Sequence, residues 1–249
     1  MTWLLDLDGV VWLAEDPIPG AADAIARLRG ELRQRVVFLT NNSSATLAEY
    51  LAKLERCGVP TGADDLITSA QAAAALVRPG ETALVCAGAG VEEALAARGV
   101  RTVREGRADA VVVGWHRDFD FGRLTAAFDA VHHGARLIGT NDDATYPTPK
   151  GPLPGGGSIL AAVAYASGAT PTVAGKPFAP MADLLRARVD DPEIMVGDRP
   201  STDGRFADRI GVPFGLVLSG VTAPEAPPVE PAPAFVAADL AALVAQRYA

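Results

Sequence analysis

Most of the chain repeats one pattern: a short apolar run, a turn, then an amphipathic stretch of helical period. The apolar runs fall at residues 3–7, 35–40, 82–87, 110–114, 136–140, 172–174, 193–197 and 215–219. Helical stretches are expected between them at 21–29, 46–57, 70–77, 91–98, 121–133, 158–167, 180–188 and 202–210. Such alternation specifies an α/β fold in which crossover helices join parallel strands. Pro19-Gly20 opens the first helix, and Gly58 with Pro60 stops the second. Residues 223–234 are rich in Pro and Ala and read as a surface connection, while 235–246 read as a short strand and a closing helix. A length of 249 residues allows one or two domains with a well-developed core.

Several function classes are disfavoured at this stage. The formal net charge of −8 argues against a nucleic-acid binder, which displays a basic face. No apolar segment approaches the length of a membrane span, and no signal peptide is visible, so a cytoplasmic location is expected. Cys57 and Cys86 lack any metal-ligand or redox spacing and read as reduced core residues. Gly88-Ala89-Gly90 follows a strand, but Glu93 stands where a dinucleotide site needs its third glycine.

Four strand ends carry chemistry. In Trp3-Leu4-Leu5-Asp6-Leu7-Asp8-Gly9 an apolar strand ends in two acids one residue apart. A period of two points Asp6 and Asp8 the same way, at the edge where open α/β sheets bind ligands. Paired carboxylates repel unless a cation joins them, and Mg²⁺ suits oxygen ligands. The competing reading is a turn with two solvated acids. The strand ending in Thr40-Asn41-Asn42-Ser43-Ser44 delivers a hydroxyl and amides suited to phosphate oxygens, or to ordinary helix capping. Gly175-Lys176-Pro177 places a lysine of defined direction before a helix, and Pro177 rules out a Walker A loop. Gly197-Asp198 ends a fourth strand, with Asp203 following as a helix begins.

The ordered set Asp6-Leu7-Asp8, Thr40, Lys176 and Gly197-Asp198 with Asp203 resembles the four motifs of the haloacid dehalogenase (HAD) superfamily. Residues 6–11, 38–43, 68–70, 139–143, 175–177, 197–203 and 218–221 carry a narrower resemblance to the NagD-like, para-nitrophenylphosphatase-like subclass IIA. Pro200 and Gly204 depart from the larger apolar residues of that pattern.

The resemblance implies a Rossmann-like core, residues 1–78 and 173–249, and an inserted α/β cap of the C2 type at 79–172. It implies a Mg²⁺-dependent phosphatase of small phosphorylated metabolites: nucleoside monophosphates, glycerol phosphate, phosphoglycolate or sugar phosphates. Asp6 would be the nucleophile and Asp8 the general acid and base. Asp6, the Asp8 backbone carbonyl and Asp198 would hold the metal, Thr40, Asn41 and Lys176 the phosphoryl group, and Asp203 would orient Lys176 or a metal-bound water. Asn42, Asp143, Tyr146 and Lys150 are the candidates for substrate selection, against the alternative of a Pro-rich surface loop. Caps of this type often pair, so a homodimer through the cap is one expected state. A phosphotransferase or phosphomutase of the same fold, or a non-catalytic metabolite binder, are the alternatives. The dehalogenases of the superfamily lack an acid at the Asp8 position, so Asp8 favours phosphoryl transfer.

Overall fold

The computed structural model describes residues 1–146, 151–222 and 230–248. By its contacts the chain divides into two units: Met1–Thr40, Tyr50–Ile67 and Lys176–Ala249 form one, Asn41–Glu49 and Thr68–Gly175 the other.

The chain begins with β1 (Thr2–Asp6), the hairpin β2 (Trp12–Leu13) and β3 (Asp16–Pro17), α1 (Ala21–Arg29), β4 (Arg35–Thr40), α2 (Leu47–Arg56) and β5 (Leu66–Thr68). Then follow α3 (Ser69–Ala75), β6 (Thr82–Cys86), α4 (Ala89–Ala96), β7 (Arg101–Val103), β8 (Ala110–Val113), α5 (Phe121–His132) and β9 (Arg136–Gly139). A hairpin of β10 (Thr145–Tyr146) and β11 (Leu153–Pro154) leads into α6 (Gly156–Ser167) and β12 (Thr172–Val173). The last elements are α7 (Ala179–Arg186), β13 (Pro192–Gly197), α8 (Arg205–Ile210), β14 (Phe214–Val217), β15 (Phe235–Ala237) and α9 (Leu240–Arg247).

The first unit is built on a six-stranded sheet ordered β15-β14-β13-β1-β4-β5. β1 lies at its centre, pairing in parallel with β13 and β4. Strand β1 is buried on both faces, which explains why it reads as a continuous apolar run and not an alternating one. Helix α1 buries Ala21, Ala24, Ile25 and Leu28, the spacing of one helical stripe. Each large apolar side chain so buried contributes roughly 1.5–3 kcal/mol.

The second unit holds a parallel sheet ordered β12-β9-β8-β6-β7. Its core packs Leu84, Val111 and Leu137 from the strands against Ala127 and Ala130 of α5 and Ile159, Leu160 and Val163 of α6. Thr68 and Gln71 form a reciprocal capping box on α3, and Asp120 caps α5.

One expected element changes form. The helix expected at 202–210 starts with a π turn, Pro200–Gly204, and becomes α-helical only at Arg205. The wide bond of this π turn runs from the Arg205 N–H to the Pro200 carbonyl, and the turn buries Asp203 completely. Among the described residues no helix is long and apolar enough to cross a membrane.

Candidate active site

Asp6 ends the central strand β1, and its neighbours in the sheet end close by: Leu5 is in register with Val196 of β13, and Asp6 with Leu39 of β4. The sheet therefore sets Asp198, one residue past β13, and Thr40, the last residue of β4, to either side of Asp6. Thr40 is buried.

Lys176 enters this edge from the segment before α7, with only 1% of its surface exposed. Its ammonium donates to Asp6 Oδ1 at 2.8 Å, to Asp203 Oδ1 at 2.6 Å and to the Leu39 carbonyl at 3.3 Å. Burial works to discharge Lys176, but Asp203 and Asp6 outweigh it and hold its pKa above the ordinary lysine value. Asp203 also accepts from the Arg199 N–H at 3.1 Å through Oδ2. A Cβ on Gly197 would lie 2.2 Å from the Asp203 carboxyl, so glycine there is what lets this acid pack beneath the strand end.

Asp198 accepts from the Val221 N–H at 2.6 Å, and the Thr222 hydroxyl donates to its carbonyl. Burial and then the Asp203 charge push its carboxyl up to about 6. Burial likewise raises Asp6 well above the ordinary carboxylate range, against the pull of Lys176. Gly9 adopts φ +84°, and a Cβ there would meet Asp198 Oδ2 at 2.5 Å. The turn after Asp8 thus needs glycine both for its conformation and for the approach of Asp198.

Carboxylate oxygens of Asp6, Asp198 and Asp203 lie within 4.8 Å of one another. Lys176 pairs with Asp6 and Asp203, and Arg199 adds its charge near Asp198. Burial and the Asp203 charge still push the Asp198 carboxyl up, so added positive charge would be favourable here. A hard divalent cation fits this all-oxygen set. Both oxygens of Asp203 already accept, from Lys176 and Arg199, so Asp6 and Asp198 are the better ligands and Asp203 holds the lysine.

Asp8 lies just beyond, its Oδ1 accepting from the Trp12 indole N–H at 3.1 Å. Burial raises its pKa, with Lys53 and that N–H opposing the shift.

The other expected residues belong to the second unit. Asn41 donates to Asp143 at 3.1 Å, and its carbonyl accepts from Asn141 at 2.7 Å and Ser69 at 2.6 Å. Asn42 accepts through Oδ1 from the Ser44 N–H and hydroxyl in a local turn, while the start of α2 is capped by Thr46 and Glu49. Tyr146 stacks on Trp115 with ring centroids 5.0 Å apart. Lys150 lies outside the described residues. Sequence reading passed over Trp12 and Lys53; the only signal for Trp12 was its place four residues beyond Asp8, and for Lys53 there was none.

Residues 3–101 match the model of haloacid dehalogenase-like hydrolases, and 173–243 match a HAD-hydrolase-like model. D-glycerol 3-phosphate phosphatase of Mycobacterium tuberculosis is 38% identical over 96% of this chain and 70% of its own length. The chain belongs to the haloacid dehalogenase-like hydrolases.

A crystal structure of the M. tuberculosis glycerol phosphate phosphatase in complex with magnesium superposes with a TM-score of 0.88 at 36% identity, covering 97% of this chain and 75% of that one. An acid sugar phosphatase of Staphylococcus saprophyticus is 33% identical over 90% of this chain and 88% of its own. The structure of p-nitrophenyl phosphatase from Archaeoglobus fulgidus has a TM-score of 0.88 at 29% identity, covering 98% of both chains. These relatives place this HAD hydrolase in the NagD-like subclass IIA.

Proposed function

We propose that this HAD hydrolase is a magnesium-dependent phosphatase that cleaves small phosphate monoesters through an aspartyl-phosphate on Asp6. The observation that carries this reading is the buried Asp6–Lys176–Asp203 chain at the end of β1, with Asp198 beside it. Lys176 holds Asp6 Oδ1, which leaves Oδ2 as the oxygen to attack phosphorus. As the Asp6 oxygen bonds to phosphorus, the bond from phosphorus to the substrate's ester oxygen breaks. Asp8 gives its proton to that departing oxygen, then removes one from the water that hydrolyses the acyl phosphate. Lys176 and Thr40 face the phosphoryl oxygens, where negative charge must be balanced. Asp6, Asp198 and the Asp8 carbonyl would hold Mg²⁺, which supplies neutralising charge for the phosphoryl group.

In the same reading residues 1–78 and 173–249 form the catalytic core and 79–172 the cap, whereas the division by contacts assigns 41–49, 68–78 and 173–175 to the second unit. Asn41 is assigned to the phosphoryl group, and Asn42, Asp143, Tyr146 and Lys150 to the substrate's leaving group. Glycerol phosphate and sugar phosphates are the first substrates to try, because the relatives are named for them.

The test is phosphate release from a panel of phosphorylated metabolites, with Mg²⁺ and then with EDTA. Turnover should require the metal and vanish in Asp6→Asn. Full turnover in Asp6→Asn would refute the covalent route.

A further inference from the structure

An acid that must deliver a proton to one atom needs a fixed carboxyl, because rotation about its side chain exchanges the two oxygens. Around Asp8 the backbone builds such a fixture. The N–H groups of Val10, Val11 and Trp12 all converge on the Leu7 carbonyl, at 3.3, 2.9 and 3.3 Å, and the Gly9 N–H donates to the Trp12 carbonyl at 2.7 Å. The loop therefore doubles back and lays Trp12 against Asp8, where its indole N–H donates to Oδ1 at 3.1 Å. The indole is itself clamped. It is 1% exposed, and the Lys53 ammonium, from α2, stands 4.4 Å from its ring centroid. Lys53 also donates to the Ala14 carbonyl and pairs with Glu15 at 3.4 Å, tying α2 to the β2–β3 hairpin.

We propose that Trp12 is a positioning residue for the acid–base step: its N–H holds Asp8 Oδ1 so that Oδ2 exchanges the proton, and Lys53 holds the indole in place. The proposal rests on the reading of Asp8 as the general acid. The bland account is that a buried indole N–H needs an acceptor and Asp8 happens to supply one. The two accounts differ in what they predict for leaving groups. Glycerol phosphate releases glycerol through an alkoxide that needs a proton, whereas p-nitrophenyl phosphate releases p-nitrophenolate almost unaided. The ratio kcat/KM reports only steps up to departure of the first product, so it isolates proton delivery from the later hydrolysis.

The experiment is kcat/KM on both substrates for the wild type, Trp12→Phe, Lys53→Met and Asp8→Asn, with thermal unfolding of each. Trp12→Phe removes the donor and keeps an aromatic ring, but it also shrinks a buried side chain, so its thermal unfolding is read beside its kinetics. It should lose about tenfold on glycerol phosphate and less than about twofold on p-nitrophenyl phosphate. Lys53→Met, at a partly exposed position, should show the same selectivity with a smaller loss, and supplies the test if Trp12→Phe fails to fold. Equal losses on the two substrates, or none, in the folded variants would overturn the proposal. Asp8→Asn separates the premises: if it too spares p-nitrophenyl phosphate while the Trp12 variant shows no selectivity, only Trp12's role fails. If Asp8→Asn treats both substrates alike, the general-acid reading falls and this proposal falls with it.

Discussion

Lys176 holds two acids at once, and this makes it the residue whose loss should be felt most widely. With only 2% of its side chain exposed, it is the cation that lets Asp6 and Asp203 stay close. Removing one partner of a buried ion pair costs about 3–5 kcal/mol, because the charge left behind stays buried. Lys176→Met is expected to destabilise the metal-free protein by about that much in urea unfolding, and to abolish phosphate release. Asp198 gives a pH dependence of known sign. Its carboxyl sits at about 6 when folded against an ordinary 3.8, so between those values the folded protein keeps a proton that the unfolded chain has released. The stabilisation from this group is complete below the unfolded value and is lost as pH rises through about 6. A cation competes for the same oxygen atoms, so the gain in melting temperature from Mg²⁺ should grow between about pH 5 and about pH 7. Thermal melts with Mg²⁺ and with EDTA at the two values check this; a gain that shrinks with pH would contradict it.

At the scale of elements, the turns that end the strands matter as much as the strands. Gly9→Ala would force a Cβ into the Asp198 carboxyl at a φ of +84°. Strain of this kind costs about 1–3 kcal/mol, and here it also displaces the carboxyl proposed to hold the metal. The variant should therefore need more Mg²⁺ for half-maximal activity, whereas the wild-type requirement would show that the turn can yield. In the second unit, Leu160 of α6 is buried against the sheet. Leu160→Ala should cost about 2–5 kcal/mol, read as a lowered unfolding midpoint.

The same scale shows what the sequence made legible. β1, β4, β8 and β13 could be read because they are buried apolar runs bounded by turns, and α1 because its stripe is regular. β7 was missed because Arg101-Thr102-Val103 is an edge strand with one apolar residue, and β5 because Leu66-Ile67 runs straight into the cap of α3. The π turn at Pro200–Gly204 was foreshadowed only as a departure from the family pattern.

On the scale of the whole molecule, residues 170 positions apart, Asp6 and Lys176, form one ion pair. Their motif order was readable from sequence because each motif sits at the end of a strand. The Trp12 and Lys53 contacts with Asp8 and its hairpin were not readable, since they depend on how one loop folds back. A divalent cation that joins Asp6 to Asp198 should stabilise the entire fold by mass action. At about a hundredfold excess over its dissociation constant the gain is about 2.7 kcal/mol, which corresponds to about 5–10 °C in a chain of this size.

The most direct test of the central claim is to trap the acyl phosphate. The protein is mixed with glycerol phosphate and Mg²⁺, quenched in acid and treated with borohydride, which reduces an aspartyl-phosphate to homoserine. Trypsin then releases residues 1–27 as one peptide, which can be sequenced by mass spectrometry. Homoserine at position 6, absent without substrate, is the predicted result. Turnover with Asp6 unmodified, or reduction at another carboxylate, would contradict it.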